Sequence, residues 1–175
     1  MRRLVVGPQQ NSVLDRLKDI LFAMPSAIII CLLALAIPLS AQVTGESVHA
    51  LSTAYPHVQW DSSAVKADFN GDGQTDFAHL GRANGRIFVG IVLGGSSRVE
   101  SLDFAISAAE QRAICSEPAT LVMESSDYDP AADIGPLPGF RRSKTTKGLR
   151  LSDGECDSIH LYWDHALDHM AWWRR

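Results

Sequence analysis

Asp76-Phe-Ala-His-Leu-Gly-Arg-Ala-Asn-Gly-Arg-Ile-Phe-Val-Gly-Ile-Val-Leu93 reads as two β-strands joined by a tight turn. Arg86–Leu93 is rich in β-branched and aromatic residues, as a strand that packs on both faces requires. Ala83-Asn84-Gly85 precedes it, and Asn-Gly is the pair that best tolerates the positive φ angles of a two-residue hairpin loop. The run Asp76–Leu80 is therefore expected to pair antiparallel with Arg86–Leu93.

Working outward, the same pattern recurs. Ala64–Ala67 leads into the hairpin, and Arg98–Phe104 and Ala119–Glu124 follow it as strands. Gly148–Leu151 and Ile159–Trp163 flank an Asp153-Gly154 turn, and a last strand runs through Met170–Trp173. Ser125–Pro138, with three Asp and three Pro, is a loop by composition. Glu46–Tyr55, stopped by Pro56, and Ile106–Cys115 are expected as brief helices. The connections are too short for repeated helical crossovers, which excludes a doubly wound parallel sheet. The fold class expected is mainly β: a small antiparallel sheet domain of hairpins with one or two short helices.

An N-terminal segment precedes that domain. Arg2, Arg3, Arg16 and Lys18 form a net positive leader, and Ile20–Leu39 carries no charge. Pro38, Leu39, Ser40 and Ala41 then give a small-residue exit before the chain turns polar at Gln42. That order is the one a secretory signal peptide needs, with cleavage expected after Ala41, and it places the domain at 42–175 in a periplasmic or secreted setting. The alternative is an uncleaved anchor, because 20 uncharged residues are just enough to span a bilayer. Membrane contact is expected only in that case.

Residues 42–175 have 12 basic and 18 acidic side chains, a net charge of −6. The whole chain, at −4 with no basic block, lacks the clustered Lys and Arg that phosphate contacts require, so nucleic acid is excluded as a partner. Two cysteines follow the signal segment, and in an oxidising compartment Cys115 and Cys156 read as a disulfide; the alternative is two buried free thiols.

Residues 68–76 read Asp68-Phe-Asn70-Gly-Asp72-Gly-Gln74-Thr-Asp76. Side-chain oxygens stand at positions 1, 3, 5 and 9, and the carbonyl of Gln74 adds a backbone oxygen at position 7. Calcium is a hard cation that takes six to eight oxygen ligands, and a tight loop with oxygen donors on alternate residues aims them at one centre. Gly71 and Gly73 permit the backbone turn this requires. The loop is not an EF-hand, since His79 stands at position 12 in place of the bidentate Glu.

The stretch 62–96 resembles the calcium loops of FG-GAP and VCBS repeats, which share a strand, an Asp-x-Asn-Gly-Asp-Gly-x-x-Asp loop and a following hairpin. The resemblance implies Ca2+ held by the side chains of Asp68, Asn70, Asp72 and Asp76 and by the backbone of Gln74. Those repeats form propeller blades, but one copy makes one hairpin and not a full propeller.

Other constellations carry less chemistry. His160, Asp164, His165, Asp168 and His169 lie within ten residues and suggest either a transition-metal site or, as the expectation adopted, exposed turn histidines. Tyr162, Trp163, Trp172 and Trp173 suggest either a sugar-binding platform or cross-strand packing. Glu124, Asp127, Asp129 and Asp133 form an acidic loop, and Arg141, Arg142, Lys144 and Lys147 a small basic cluster. No nucleophile elbow or metalloprotease helix is present. The functional expectation is an exported calcium-binding module, structural or engaged with a protein or carbohydrate partner, without assigned catalytic residues. The alternative is a small secreted hydrolase or envelope inhibitor with calcium as a brace.

Overall fold

The computed structural model describes residues 39–175 apart from Ser97 and Gln111; for residues 39–43, Ala132 and Asp133 it describes the backbone alone. The expected signal segment therefore lies outside the described residues except for its last three. The chain divides into two units, Met1–Leu39 and Ser40–Arg175, and both sheets belong to the second.

In chain order the elements are α1 (Leu39–Ala54), β1 (Gln59–Trp60), β2 (Val65–Ala67), β3 (Asp76–Ala83), β4 (Arg86–Val92), β5 (Val99–Ile106), β6 (Ala113–Ile114), β7 (Thr120–Ser125), α2 (Ala131–Ile134), β8 (Lys147–Ser152), β9 (Ile159–Asp164) and β10 (His169–Trp173). The fold is mainly β and consists of two open sheets. The first has the order β1-β3-β4-β5-β6, with β2 also pairing β3; the second has the order β10-β9-β8-β7.

The hairpin at the centre of the first sheet forms as the Asn-Gly pair requires. Ala83 faces Arg86, and Asn84 and Gly85 take φ of 50° and 67°. Side chains then alternate along both strands. Ala78 and Leu80 of β3 and Ile87, Val89 and Ile91 of β4 point inward, where they meet Leu149, Leu151, Ile159, Leu161 and Met170 of the second sheet in one core. The opposite face of β3 and β4 carries His79, Gly81, Phe88 and Gly90. It is covered by α1 and by Trp60, whose ring meets Phe88 and Tyr55 edge-on.

Three expectations are corrected. The helix expected over Glu46–Tyr55 already includes Leu39, the first described residue, seven positions earlier. Nothing between Leu39 and Glu46 stops a helix, since that stretch holds no proline. Its end agrees with the expectation, because the residue before Pro56 is driven out of helical geometry. Ile106–Cys115 is not a helix: Ala113 and Ile114 are buried and pair with β5, and Ser107 donates its N–H to the carbonyl of Ile114. That pairing is parallel, the one departure from antiparallel geometry among the described strands. Within the loop Ser125–Pro138, Ala131–Ile134 makes a single helical turn.

Candidate functional site

The loop between β2 and β3 is ordered by its own oxygens. The Asp68 carboxylate accepts the N–H of Gly71 at 2.6 Å and of Gly73 at 3.0 Å. Asn70 Oδ1 accepts the N–H of Asp72, and Asp72 Oδ1 accepts the N–H of Gln74 at 2.7 Å. Gly71 and Gly73 have φ near +80°, where a side chain would be strained. Gly71 also sits close against Thr146 and His165, and the carbonyl of Asp68 accepts the N–H of Lys147. The loop is thus seated on the second sheet as well as on the first.

Asp76 differs from the other loop residues. It is fully buried, and its two oxygens accept the N–H of Phe69 at 2.7 Å and of Gly94 at 2.8 Å. No cationic side chain pairs with it among the described residues. Burial pushes its carboxyl above the ordinary carboxylate range and the Asp72 charge adds to this, while the backbone N–H groups of Gly94, Phe69 and Asn70 oppose it.

Among the described residues, one set of three acidic, His or Cys side chains has its donor atoms within 4.8 Å of one another: Cys115, Asp153 and Cys156. Asp68, Asp72 and Asp76 are not drawn to that distance. The sulfurs of Cys115 and Cys156 form the disulfide expected from their number, with Cα atoms 5.9 Å apart, so they are not available as thiolate ligands. Asp153 serves the backbone around that bond. Burial acts against its charge, but the N–H groups of Cys156, Glu155, Cys115 and Ser116 outweigh it and hold the carboxyl down to about 2.

The C-terminal histidines are dispersed. His160 Nδ1 bonds the Glu124 carboxylate at 2.9 Å and its ring stacks on Trp173 at 4.1 Å. His169 Nδ1 lies 2.8 Å from the carbonyl of Met170. His165 stays in the β9–β10 turn, where burial and the Arg141 charge lower its pKa. These residues share no centre: His160 and His169 stand at opposite ends of the β9–β10 pair, facing Trp173 and Asp164 respectively, and His165 lies in the turn.

The four aromatics do not form one platform either. Tyr162 and Trp163 are buried, and Trp172 packs edge-on against Phe104. Trp173 lines a surface depression together with Tyr128, Glu124 and His160, and Trp172 lines a different one beside Glu100 and His169. The acidic loop disperses in the same way: Asp127 pairs with Arg142 at 2.6 Å, Asp129 caps the N–H of Ala131, and Glu124 holds His160.

One buried polar pair carried no signal in the sequence. Ser47 of α1 lies 2.8 Å from His79 Nε2, and His79 Nδ1 lies 3.0 Å from the carbonyl of Asp61. Both side chains are buried between α1 and the first sheet, so the pair holds the helix to β3 and offers no open nucleophile. A serine and a histidine 32 positions apart are joined only by the way the helix folds back. The chain matches no known protein-family model, no curated protein and no solved structure.

Proposed function

We propose that the protein is an exported β domain whose Asp68–Asp76 loop binds one calcium ion, and that it acts as a structural or interaction module for a protein or carbohydrate partner. The observation that carries this reading is Asp76: a fully buried carboxylate, at position 9 of an oxygen-rich loop, with no side-chain cation beside it. A buried charge without a counter-ion is costly, and a divalent cation at the loop centre offsets that cost.

The donor set fits a hard ion: the carboxylates of Asp68, Asp72 and Asp76, the amide oxygen of Asn70 and the carbonyl of Gln74. Bound calcium would be held by these oxygens and would supply the positive charge that the loop lacks. The chain's own contribution is the pre-turned loop, with Gly71 and Gly73 at positive φ and Asp68 holding two of its N–H groups. Because the ion binds the ordered loop and not the unfolded chain, its binding energy adds to fold stability.

The test is the melting temperature of the protein with calcium and with chelator, together with calorimetric titration. A calcium concentration about 100 times Kd should add about 2.7 kcal/mol. Asp68→Ala and Asp72→Ala should abolish that gain. Equal melting with and without calcium, and no heat of binding, would reduce the loop to an ordinary turn. Fractionation of expressing cells tests the export reading, which requires the chain outside the cytoplasm.

A further inference from the structure

The outer face of the second sheet carries a depression of about 460 Å³ that shares no residue with the calcium loop. Strand register builds its floor. Arg150 of β8 stands directly opposite His160 of β9, and His160 directly opposite Trp173 of β10, so guanidinium, imidazole and indole lie in one row across three strands. Glu124 reaches this row from β7 by passing over Gly148, where a side chain would come within 3.4 Å of its Cγ. The long connection between β7 and β8 supplies a wall, with Tyr128 accepting the Trp173 indole N–H. Asp157 stands on the rim, exposed.

The groups in this depression are unevenly committed. Glu124 is spent on His160 Nδ1, which fixes the ring and leaves Nε2 without a partner among the described residues. Arg150 has no hydrogen bond or ion pair among the described residues, whereas the other two strand arginines, Arg82 and Arg86, pair with Asp61 and Asp103. An unpaired guanidinium beside an aromatic wall is the combination that recognises an anion attached to a ring.

We propose that the depression binds a sugar acid, a single saccharide ring bearing a carboxylate. The Arg150 fork takes the carboxylate. The C–H face of the ring lies against Trp173 and Tyr128, as apolar ring faces do on aromatic side chains. Asp157 and His160 Nε2 take ring hydroxyls. The volume is within the range of small-ligand sites.

Calorimetric titration of the full chain, kept in solution by a detergent without a sugar headgroup, tests this with D-glucuronate, glucose and benzoate. Glucuronate should bind at one site and bind better than either of the others, with or without chelator. Arg150→Gln should weaken it about tenfold or more, the size of a lost charge-assisted hydrogen bond, without moving the melting temperature. Trp173→Phe should keep part of the affinity that Trp173→Ala loses. Absence of glucuronate binding, an equal affinity for glucose or benzoate, or an Arg150→Gln variant that binds as well as the parent would each overturn the proposal. Loss of the calcium response with glucuronate binding intact would overturn only the calcium reading.

Discussion

Asp76 and His79 are two buried ionisable residues three positions apart on β3, and alternation along the strand sends them to opposite faces. Asp76 reaches the N–H groups of Phe69 and Gly94; His79 looks at α1. Burial lowers the pKa of His79 below its ordinary 6.5, against the opposing pull of the Asp61 and Ser63 carbonyl groups. In the unfolded chain the imidazole protonates as pH falls through 6.5, whereas in the folded protein it resists. The unfolded state then binds more protons, so the stability His79 supports is complete above pH 6.5 and declines below it. Melts between pH 7.5 and 5 should therefore show a fall in stability on acidification. His79→Gln, which keeps hydrogen-bonding capacity without titrating, should reduce that slope. A residual slope from His165, whose pKa is also lowered, is expected to remain. An unchanged slope in the variant would remove His79 from the account.

At the scale of elements, much was legible and the reasons differ from one segment to the next. The β3–β4 hairpin was readable because Asn84-Gly85 and the apolar alternation specify it locally. The part of α1 before Glu46 was not, because no apolar stripe marks residues 39–45 as helical. The β5–β6 pairing was missed because a two-residue parallel strand is selected by burial of Ala113 and Ile114, not by local pattern. For the site, loop order was legible from Asp68 to Asp76, while the Glu124–His160–Trp173 row was hidden, since it joins residues brought together only by sheet register. Register also explains Gly81 and Gly90. They leave a flat patch on β3 and β4 in which Trp60, Val58 and Leu51 sit, and a Cβ at Gly81 would stand only 2.5 Å from Val58 Cγ1 and 2.6 Å from the Trp60 ring. Gly81→Ala and Gly90→Ala should each cost about 1–3 kcal/mol by overpacking, read from chemical denaturation, whereas Gly154→Ala tests the turn with open space around it. An Ala at 81 or 90 without a stability loss would mean that α1 and Trp60 do not pack on this face.

At the scale of the molecule, the two sheets share a core and are tied to each other at several places, of which two differ most in strength. At one, Arg98 pairs with Asp168 at 2.7 Å, and Glu100 accepts the Met170 N–H at 2.9 Å, linking β5 to the β9–β10 hairpin. At the other, the disulfide joins Cys115, just past β6 of the first sheet, to Cys156 in the β8–β9 connection of the second. The first tie is exposed at Arg98 and Asp168, where solvent screens the pair, so it contributes little. The second is covalent and closes a segment of 41 positions that contains the whole of β7, α2 and β8. Closing a loop of that size restricts the unfolded chain by about 4 kcal/mol in the loop-entropy account. Asp153 acts at the same place from the inside, donating no covalent bond but gathering N–H groups from both ends of the disulfide. Cys115→Ser with Cys156→Ser should therefore lower stability by about 4 kcal/mol in chemical denaturation while the strand signal in circular dichroism persists, because Asp153 and the shared core still hold the sheets together. The doubly substituted protein should also be the more acid-sensitive one below pH 3.8, where the unfolded chain takes up the Asp153 proton and the stability this carboxylate supplies declines, until the pH falls through its folded value of about 2. If the double variant melted like the parent, the constraint on the unfolded chain would be carried by the core alone.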